Sequence, residues 1–355
     1  MPTQTAAQTG TATPTNDVAA TPTLSSVPVT MSVSGKVSSG TAGVTLPAAL
    51  PLTLNLVTTD AAGRVDIQTQ AGTMQADSSY RFEGVTVKPG TSIFVTTTYE
   101  NVVQGSLIGE AGNEGAALDL PIKLYAGTDD PSVIVLERAQ QILDFKAGNI
   151  MQVLATYYYR DTSDRFFLSK DLNAQNKPIS VTIPLPVGAQ SIAFTNNVGT
   201  RYSIGGSPML PSVQDTRPVL PGQTHEVIVS YNVPYDKGAP IDQDYPFTTQ
   251  MVEVLIPDDA GVRLQGEFNA NPNISINPQR SYTQYNLKQP IKAGGRLIYT
   301  LEGVPPNQAI TAVPSGSTRS SNSADFLPIV LLAGLIVIGF VLVIVYLFRP
   351  KRGAK

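Results

Sequence analysis

The sequence has no cysteine, no tryptophan and a single histidine, His225, among its 355 residues. Without cysteine, the chain cannot form disulfide bonds or thiolate metal sites. A transition-metal centre would need His225 and carboxylates as its ligands, a set that such ions seldom use. The sequence therefore predicts no cofactor and no metal site of this kind.

Charged residues are also scarce, at 14% of the chain, and the net charge is -3 with a pI near 5.3. Proteins that bind nucleic acid concentrate lysine and arginine on one face. The sequence contains no basic stripe of that kind. We therefore expect no nucleic-acid partner.

One long apolar run is present, from Phe326 to Phe348, and its 23 residues carry no charge. As a helix this run would be about 34 Å long, which is enough to cross a hydrocarbon core of about 30 Å. It has none of the charged groups that mark transport pathways inside a membrane. We predict a transmembrane helix at 326–348 that anchors the protein in the lipid bilayer by a single pass.

The residues on either side of this run predict its orientation. Cationic flanks stay cytoplasmic, so 349–355 is predicted to be a basic cytoplasmic tail and the preceding domains extracytoplasmic. Residues 1–29 are rich in threonine and proline, which predicts a disordered tail, and they lack signal-peptide features. Either the true start lies upstream of Met1, which we favour, or the protein is tail-anchored and faces the cytoplasm. The basic flank consists of Arg349, Lys351, Arg352 and Lys355.

Short alternating segments separated by turn residues extend from residue 30 to residue 305. Leu52, Leu54 and Leu56, for example, fall on one face of a predicted strand. Turn signals recur about every 8 to 12 residues, a spacing typical of β-sandwiches. We predict an all-β fold with two tandem β-sandwich domains and one C-terminal transmembrane helix.

The predicted domains occupy residues 30–126 and 130–305, and a flexible tether follows at 306–325. Whether 130–305 is one domain or two is left open at this point. Within this second region, the patterns predict a strand at 225–233 and a long loop rich in proline and glycine at 205–223.

Several motifs of the first region follow one another in a familiar order: Gly35-Lys36-Val37, Leu52-Thr53-Leu54, Ser79-Tyr80-Arg81-Phe82-Glu83-Gly84-Val85, Lys88-Pro89-Gly90 and Ile93-Phe94-Val95. In this order, residues 30–126 resemble a carboxypeptidase regulatory-like domain. The resemblance implies a transthyretin-like sandwich of seven strands that has no catalytic role. The whole chain resembles bacterial membrane-anchored proteins that carry this domain, some of which accompany cytochrome c maturation machinery.

Aromatic residues concentrate around a polar segment at 160–165, as in a hairpin. Because neighbouring side chains of a strand point to opposite faces, some of these rings are expected on the outer face. Exposed rings could bind a partner, whereas rings covered by a neighbouring domain would be cross-strand pairs of a core. The candidate partner-binding residues are Tyr157, Tyr158, Tyr159, Phe166 and Phe167.

Few residues could carry catalysis. His225 is the only histidine, and no serine lies in a Gly-x-Ser-x-Gly turn, so no catalytic residue is predicted. We expect His225 to be a solvent-facing residue at a strand edge. On that interpretation, His225→Gln changes the free energy of unfolding by no more than about 0.5 kcal/mol.

Carboxylates leave two alternatives open. Paired carboxylates could hydrolyse a glycan, because their separation is not visible in a sequence. Acidic turns could bind calcium at Asp129-Asp130, at Asp242 with Asp244, or at Asp258-Asp259, although none of them has EF-hand spacing.

These observations together predict a non-enzymatic, membrane-anchored, extracytoplasmic β-sandwich protein that binds protein or glycan partners in the bacterial cell envelope. An exported chain without cysteine is ordinary in bacteria, which favours that source. One alternative function is accessory, in the assembly of an envelope complex such as the cytochrome c maturation machinery. The other is a glycan-active hydrolase in the second domain.

Overall fold

The computed structural model describes residues 27–60, 63–113, 115–146, 149–195, 197, 201–277 and 280–306. The described residues form β-strands and two short 3-10 helices, Pro131–Val133 and Asp258–Ala260. The prediction of an all-β fold is therefore confirmed. In these ranges no helix has the length and apolar character needed to cross a membrane. The predicted span at 326–348 and its basic flank lie outside the described residues.

The first nine strands form two sheets. One sheet has the order β4-β1-β8, with β9 also paired to β1, and the other has the order β3-β2-β5-β6, with β7 also paired to β5. The strands are β1 (Val29–Ser39), β2 (Pro51–Thr59), β3 (Val65–Thr73), β4 (Ser79–Val87), β5 (Ser92–Tyr99), β6 (Val102–Gly105), β7 (Gly109–Glu110), β8 (Leu118–Asp119) and β9 (Ile122–Leu124).

Alternation of side chains along these strands produces a common core. Leu52 and Leu54 of β2 are buried, and Leu56 packs against them at the margin, as the sequence pattern predicts. Tyr80 and Phe82 of β4 belong to the same cluster of buried residues. Alternate residues of strands such as β2 and β4 therefore contribute to one core between the two sheets.

The remaining strands form a larger sheet and several small ones. The larger sheet has the order β15-β18-β12-β11-β21-β24-β23, with β20 also paired to β11, and the small sheets have the orders β10-β13, β14-β17-β16 and β19-β25-β22. The strands are β10 (Gly127–Thr128), β11 (Ile134–Lys146), β12 (Ile150–Asp161), β13 (Phe166–Phe167), β14 (Val181–Pro184), β15 (Gln190–Phe194), β16 (Tyr202–Gly206), β17 (Pro211–Asp215), β18 (His225–Pro234), β19 (Pro240–Tyr245), β20 (Thr248–Thr249), β21 (Val252–Pro257), β22 (Val262–Gln265), β23 (Phe268–Asn277), β24 (Arg280–Leu287) and β25 (Gly295–Gly303).

Two local predictions for this region are wrong. The loop expected at 205–223 contains β17, which pairs with β14 and β16 and buries Val213. The hairpin expected around 160–165 does not form, because β12 pairs with β11 and β18 while β13 pairs with β10. In both places, the turn residues lie where the chain changes direction, but the strands beside them also pair with strands that are distant in the sequence.

The two groups of strands have separate hydrophobic clusters, and among the described residues the clusters share no member. The contacts between the two groups include several hydrogen bonds. The Thr41 hydroxyl donates to the backbone oxygen of Asp164 at 2.6 Å, and Ala42 N donates to the Asp164 carboxylate at 2.7 Å. Gly127 N donates to the carboxylate of Glu100 at 2.7 Å.

Candidate functional site

The five aromatic candidates do not form an exposed surface. Tyr157 and Tyr159 point from β12 into the core, and Phe166 and Phe167 are also buried. Tyr158 points to the other face, where the guanidinium of Arg138 lies 4.5 Å from its ring centroid. The prediction of a partner-binding surface at these rings is therefore wrong, since four of the five pack inside the protein.

His225 is also buried, with 2% of its surface exposed, so the expectation of a solvent-facing histidine is wrong. Its strand, β18, lies inside the larger sheet, paired with β12 on one side and β15 on the other. Its imidazole Nε2 is 2.8 Å from Oδ2 of Asp215. The segment after β17 returns the chain to β18, which brings these two side chains together.

Asp215 is fully buried and is surrounded by hydrogen-bond donors. Nε of Arg201 donates to both carboxylate oxygens, at 2.9 and 3.0 Å, and the backbone N–H of Arg217 donates to Oδ1 at 2.9 Å. Nη2 of Arg201 also donates to the backbone oxygen of Glu226 at 3.0 Å. We call Arg201, Asp215 and His225 the buried ion cluster.

The charge states within this cluster follow from burial and hydrogen bonding. Burial opposes the charged form of Asp215, but hydrogen bonds from His225 and Arg201 outweigh it and lower the pKa of the carboxyl to about 2. Burial lowers the pKa of His225 despite its bond to Asp215. At neutral pH, therefore, the ionised carboxylate of Asp215 accepts a hydrogen bond from a neutral imidazole whose proton is on Nε2.

This arrangement favours a structural role over catalysis. The cluster joins β17, β18 and the residue that precedes β16. In the described part of the chain, no serine or threonine hydroxyl is hydrogen-bonded to His225. A cleft of about 190 Å³ adjoins His225, and its lining includes Val102 and Val103 of β6.

In each of the three acidic turns predicted to bind calcium, one carboxylate is paired with a basic side chain. Asp129 is 2.5 Å from Nζ of Lys170, and Asp259 accepts from Arg280 at 3.0 Å. Asp242 is paired with Arg296. Across the described ranges, no group of three or more His, Asp or Glu side chains is placed to hold a metal ion. Each predicted calcium turn thus has a basic side chain as the partner of a carboxylate.

The burial of His225 leads to a prediction that replaces the one made from the sequence. His225→Gln should lower the free energy of unfolding by about 1–3 kcal/mol, because Asp215 loses a buried donor. The neighbouring exposed residue supplies the control: Thr224→Ala should stay within about 0.5 kcal/mol of wild type. Urea unfolding at pH 7.5 measures both, and equal stability of wild type and His225→Gln would contradict the buried role.

Urea unfolding measured as a function of pH tests whether the buried imidazole of His225 is neutral. The unfolded chain takes up a proton at His225 below about pH 6.5, whereas the native state holds the imidazole neutral to a lower pH. Acid therefore favours the unfolded chain in this window, and wild-type stability should fall as the pH falls from 6.5. His225→Gln should lack this part of the pH dependence.

A second candidate site is the strand β3, which lies at the edge of its sheet; no other described strand pairs with its outer side. Almost all its side chains are exposed, including Val65 at 59% and Ile67 at 60%. A groove of about 680 Å³ lies beside it, with Leu56, Gln68, Val87 and Lys88 in its lining. Among the described residues, no aromatic ring lines this groove.

Hydrogen bonds at the two ends of the β2–β3 pair show which groups of β3 point outward. Asp60 N donates to Arg64 O at 3.0 Å, and Met74 N donates to Leu50 O at 2.9 Å. Hydrogen-bonded pairs recur at every second residue of an antiparallel ladder, so the even-numbered residues of β3 bond to β2. The N–H and C=O groups of the odd-numbered residues, from 65 to 73, therefore point to the free edge.

Three other edge strands of the described fold, β4, β15 and β23, are interrupted, and β3 is not. The edge strands β14, β16, β19 and β22 are also free of register shifts, but they are only four to six residues long. The pairing register of β23 shifts around Asn273, next to Pro272. The register of β15 shifts near Ser191. Strand β4 contains Gly84, whose φ is 65°. The β2–β3 register is continuous from Pro51–Thr73 to Thr59–Val65. Proteins usually interrupt or cover edges to prevent unwanted pairing. An edge left intact over nine residues is therefore a candidate docking site.

Comparison with known proteins does not assign the chain to a family. No family model and no curated protein matches it. Among solved structures, an M1 zinc metallopeptidase from Deinococcus radiodurans is 12% identical with a TM-score of 0.28, over 48% of this chain and 42% of that one. The full-length RrgB pilus protein of Streptococcus pneumoniae is 8% identical with a TM-score of 0.21, over 82% of this chain and 64% of that one.

The major pilin SpaD of Corynebacterium diphtheriae is also 8% identical, with a TM-score of 0.19, over 78% of this chain and 88% of that one. The chain spans less than half the length of the metallopeptidase structures that it matches. TM-scores this low identify no shared fold and no function for this chain.

Proposed function

We propose that this chain is a non-enzymatic protein of the bacterial cell envelope that binds a protein partner by strand addition along β3. The helix at 326–348 holds it in the cell membrane, with the β-domains extracytoplasmic and the C-terminus cytoplasmic. The domains are a carboxypeptidase regulatory-like sandwich at 30–126 and a second sandwich region at 130–305. The accessory role in assembly of an envelope complex would use the same docking surface.

The observation that carries this proposal is the intact free edge of β3. An extended segment laid along such an edge bonds to the main chain, and its side chains contact alternate positions on both faces. Ile67 offers an exposed apolar contact, while Gln68 and Val65 offer contacts in the groove beside the strand. A glycan site would be expected to present the face of an aromatic ring, so the lining favours a protein partner.

The geometry gives less support to the hydrolase alternative. A catalytic histidine must reach a substrate, but His225 is buried and bonded to Asp215. A pair of carboxylates for glycan hydrolysis must be free to act as acid and base. The acidic groups described above are instead held by Lys170, Arg280 and Arg296.

Site-specific photo-cross-linking in bacterial membranes tests the proposal. A photoreactive residue at Thr69 of the full-length protein should give cross-linked protein adducts, whereas one at Asn271, on the interrupted edge of β23, should give few. Ala71→Pro removes an outward N–H but no bond to β2, so it should abolish the Thr69 adducts and preserve the fold. Equal yields at the two positions, or adducts that survive Ala71→Pro, would contradict strand addition.

A further inference from the structure

We infer that the strand docked on β3 is β3 of a second copy of this chain, paired antiparallel about Thr69. This inference rests on the proposed strand addition and identifies the partner. It follows from the direction of the free main-chain groups and from the side chains that self-pairing would bring together.

The first argument is the position of the two-fold axis. Antiparallel strands related by a two-fold axis place one residue opposite itself. The outward groups belong to odd-numbered residues, so an odd-numbered residue can exchange two hydrogen bonds with its own copy. Thr69 is the middle residue of β3. An axis at Thr69 therefore pairs the whole strand, with about ten inter-strand hydrogen bonds, whereas an axis at Ile67 would pair little more than half of it.

The second argument is the complementarity of the side chains in this register. Ile67 would lie opposite the partner's Ala71, and Val65 opposite the partner's Thr73, which places apolar groups together on the outer face. Gln68 would lie opposite the partner's Gln70, where two amides can bond to each other. Asp66, the charged residue of β3, would lie opposite the partner's Gly72. No like charges are opposed.

The third argument is that no backbone feature prevents the approach. The odd-numbered residues of β3 include no proline, so every outward donor is present. The register with β2 is free of bulges, so the edge stays straight enough for a second strand along its full length. The result would be one continuous sheet across the two copies, running through β2 and β3 of each.

The absence of cysteine from the chain makes a direct test possible. In full-length protein purified in detergent, Thr69→Cys should cross-link to its own copy with a short bismaleimide, because the two Cα atoms would be about 5.5 Å apart. Thr73→Cys should not, since the two copies of that residue would be about 27 Å apart at 3.4 Å per residue. A mixture of Val65→Cys and Thr73→Cys proteins should cross-link, which fixes the register.

Light scattering coupled to gel filtration provides the second measurement. Wild type should elute as a dimer, and Ala71→Pro as a monomer with an unchanged far-ultraviolet circular dichroism spectrum. A monomeric wild type, or cross-linking of Thr73→Cys to itself as readily as Thr69→Cys, would overturn self-pairing. If wild type is monomeric while Thr69 in membranes still gives adducts with a different protein, self-pairing is wrong and strand addition stands. If Thr69 gives no adduct in either setting, both proposals fail.

Discussion

Replacing Asp215 with alanine should lower the free energy of unfolding by about 3–5 kcal/mol, the usual result of removing one partner of a buried ion pair. The carboxylate has no exposed surface, and it accepts bonds from Arg201, His225 and the backbone of Arg217. Its loss would leave a guanidinium largely enclosed without its counter-charge. Urea unfolding at pH 7.5 measures the change.

Two further variants distinguish the effect of the unpaired Arg201 guanidinium from a general loss of packing. Asp171 is an exposed aspartate in a loop, so Asp171→Ala should change the stability by no more than about 0.5 kcal/mol. The double variant Asp215→Leu with Arg201→Met replaces the ion pair by apolar groups, so it should recover much of the stability lost in Asp215→Ala. A double variant no more stable than Asp215→Ala would contradict the role assigned to the unpaired charge.

The sequence predicts the local structure of this protein well wherever alternation is regular. The burial of Leu52 and Leu54 and the strand at 225–233 follow from the period of two alone. Strand β17 was missed because Pro211 begins it and proline-rich segments flank it, which are features typical of a loop. Its pairing with β14 and β16 supplies stability that no local pattern reveals.

The buried ion cluster can be predicted only in part from the sequence. Alternation places Asp215 on the same face of β17 as the buried Val213, and His225 on the same face of β18 as Val227 and Val229. A charged residue on an inward face requires a partner, so a charge in the core could have been inferred. The partner itself could not, because Arg201 reaches Asp215 only after the β16–β17 pair forms.

The free edge of β3 could not be predicted at all. In the structure, β2 and β3 pair as a hairpin. Whether the outer strand of a hairpin meets another strand depends on the order of the whole sheet, and that order is a property of tertiary structure. The exposed Val65 and Ile67 look like ordinary strand residues until their position at the edge is known.

Tyr80 offers a test of how the two hydrophobic clusters depend on each other. Its ring is buried in the first cluster, packs edge-to-face on Phe82 with centroids 6.0 Å apart, and occupies the space where Gly35 lacks a side chain. Its hydroxyl donates to the backbone oxygen of Leu120. The described contacts between the two regions include the polar bonds of Thr41 and Ala42 to Asp164. Because the clusters are separate, we propose that residues 30–126 and 130–305 unfold as two units.

Tyr80→Ala should therefore destabilise the first unit by about 3–5 kcal/mol and leave the second nearly unchanged. In hydrogen exchange followed by peptide mass spectrometry, the protected amides of residues 30–126 should exchange at least about a hundredfold faster, since each 1.4 kcal/mol is a factor of ten. Amides of β12 and β18 should keep their wild-type rates. Tyr99→Ala, at the margin of the same cluster, is a control that should produce a smaller acceleration in the same region. Equal acceleration in both regions would mean that the two clusters unfold together, because the contacts at their junction would then transmit the full destabilisation.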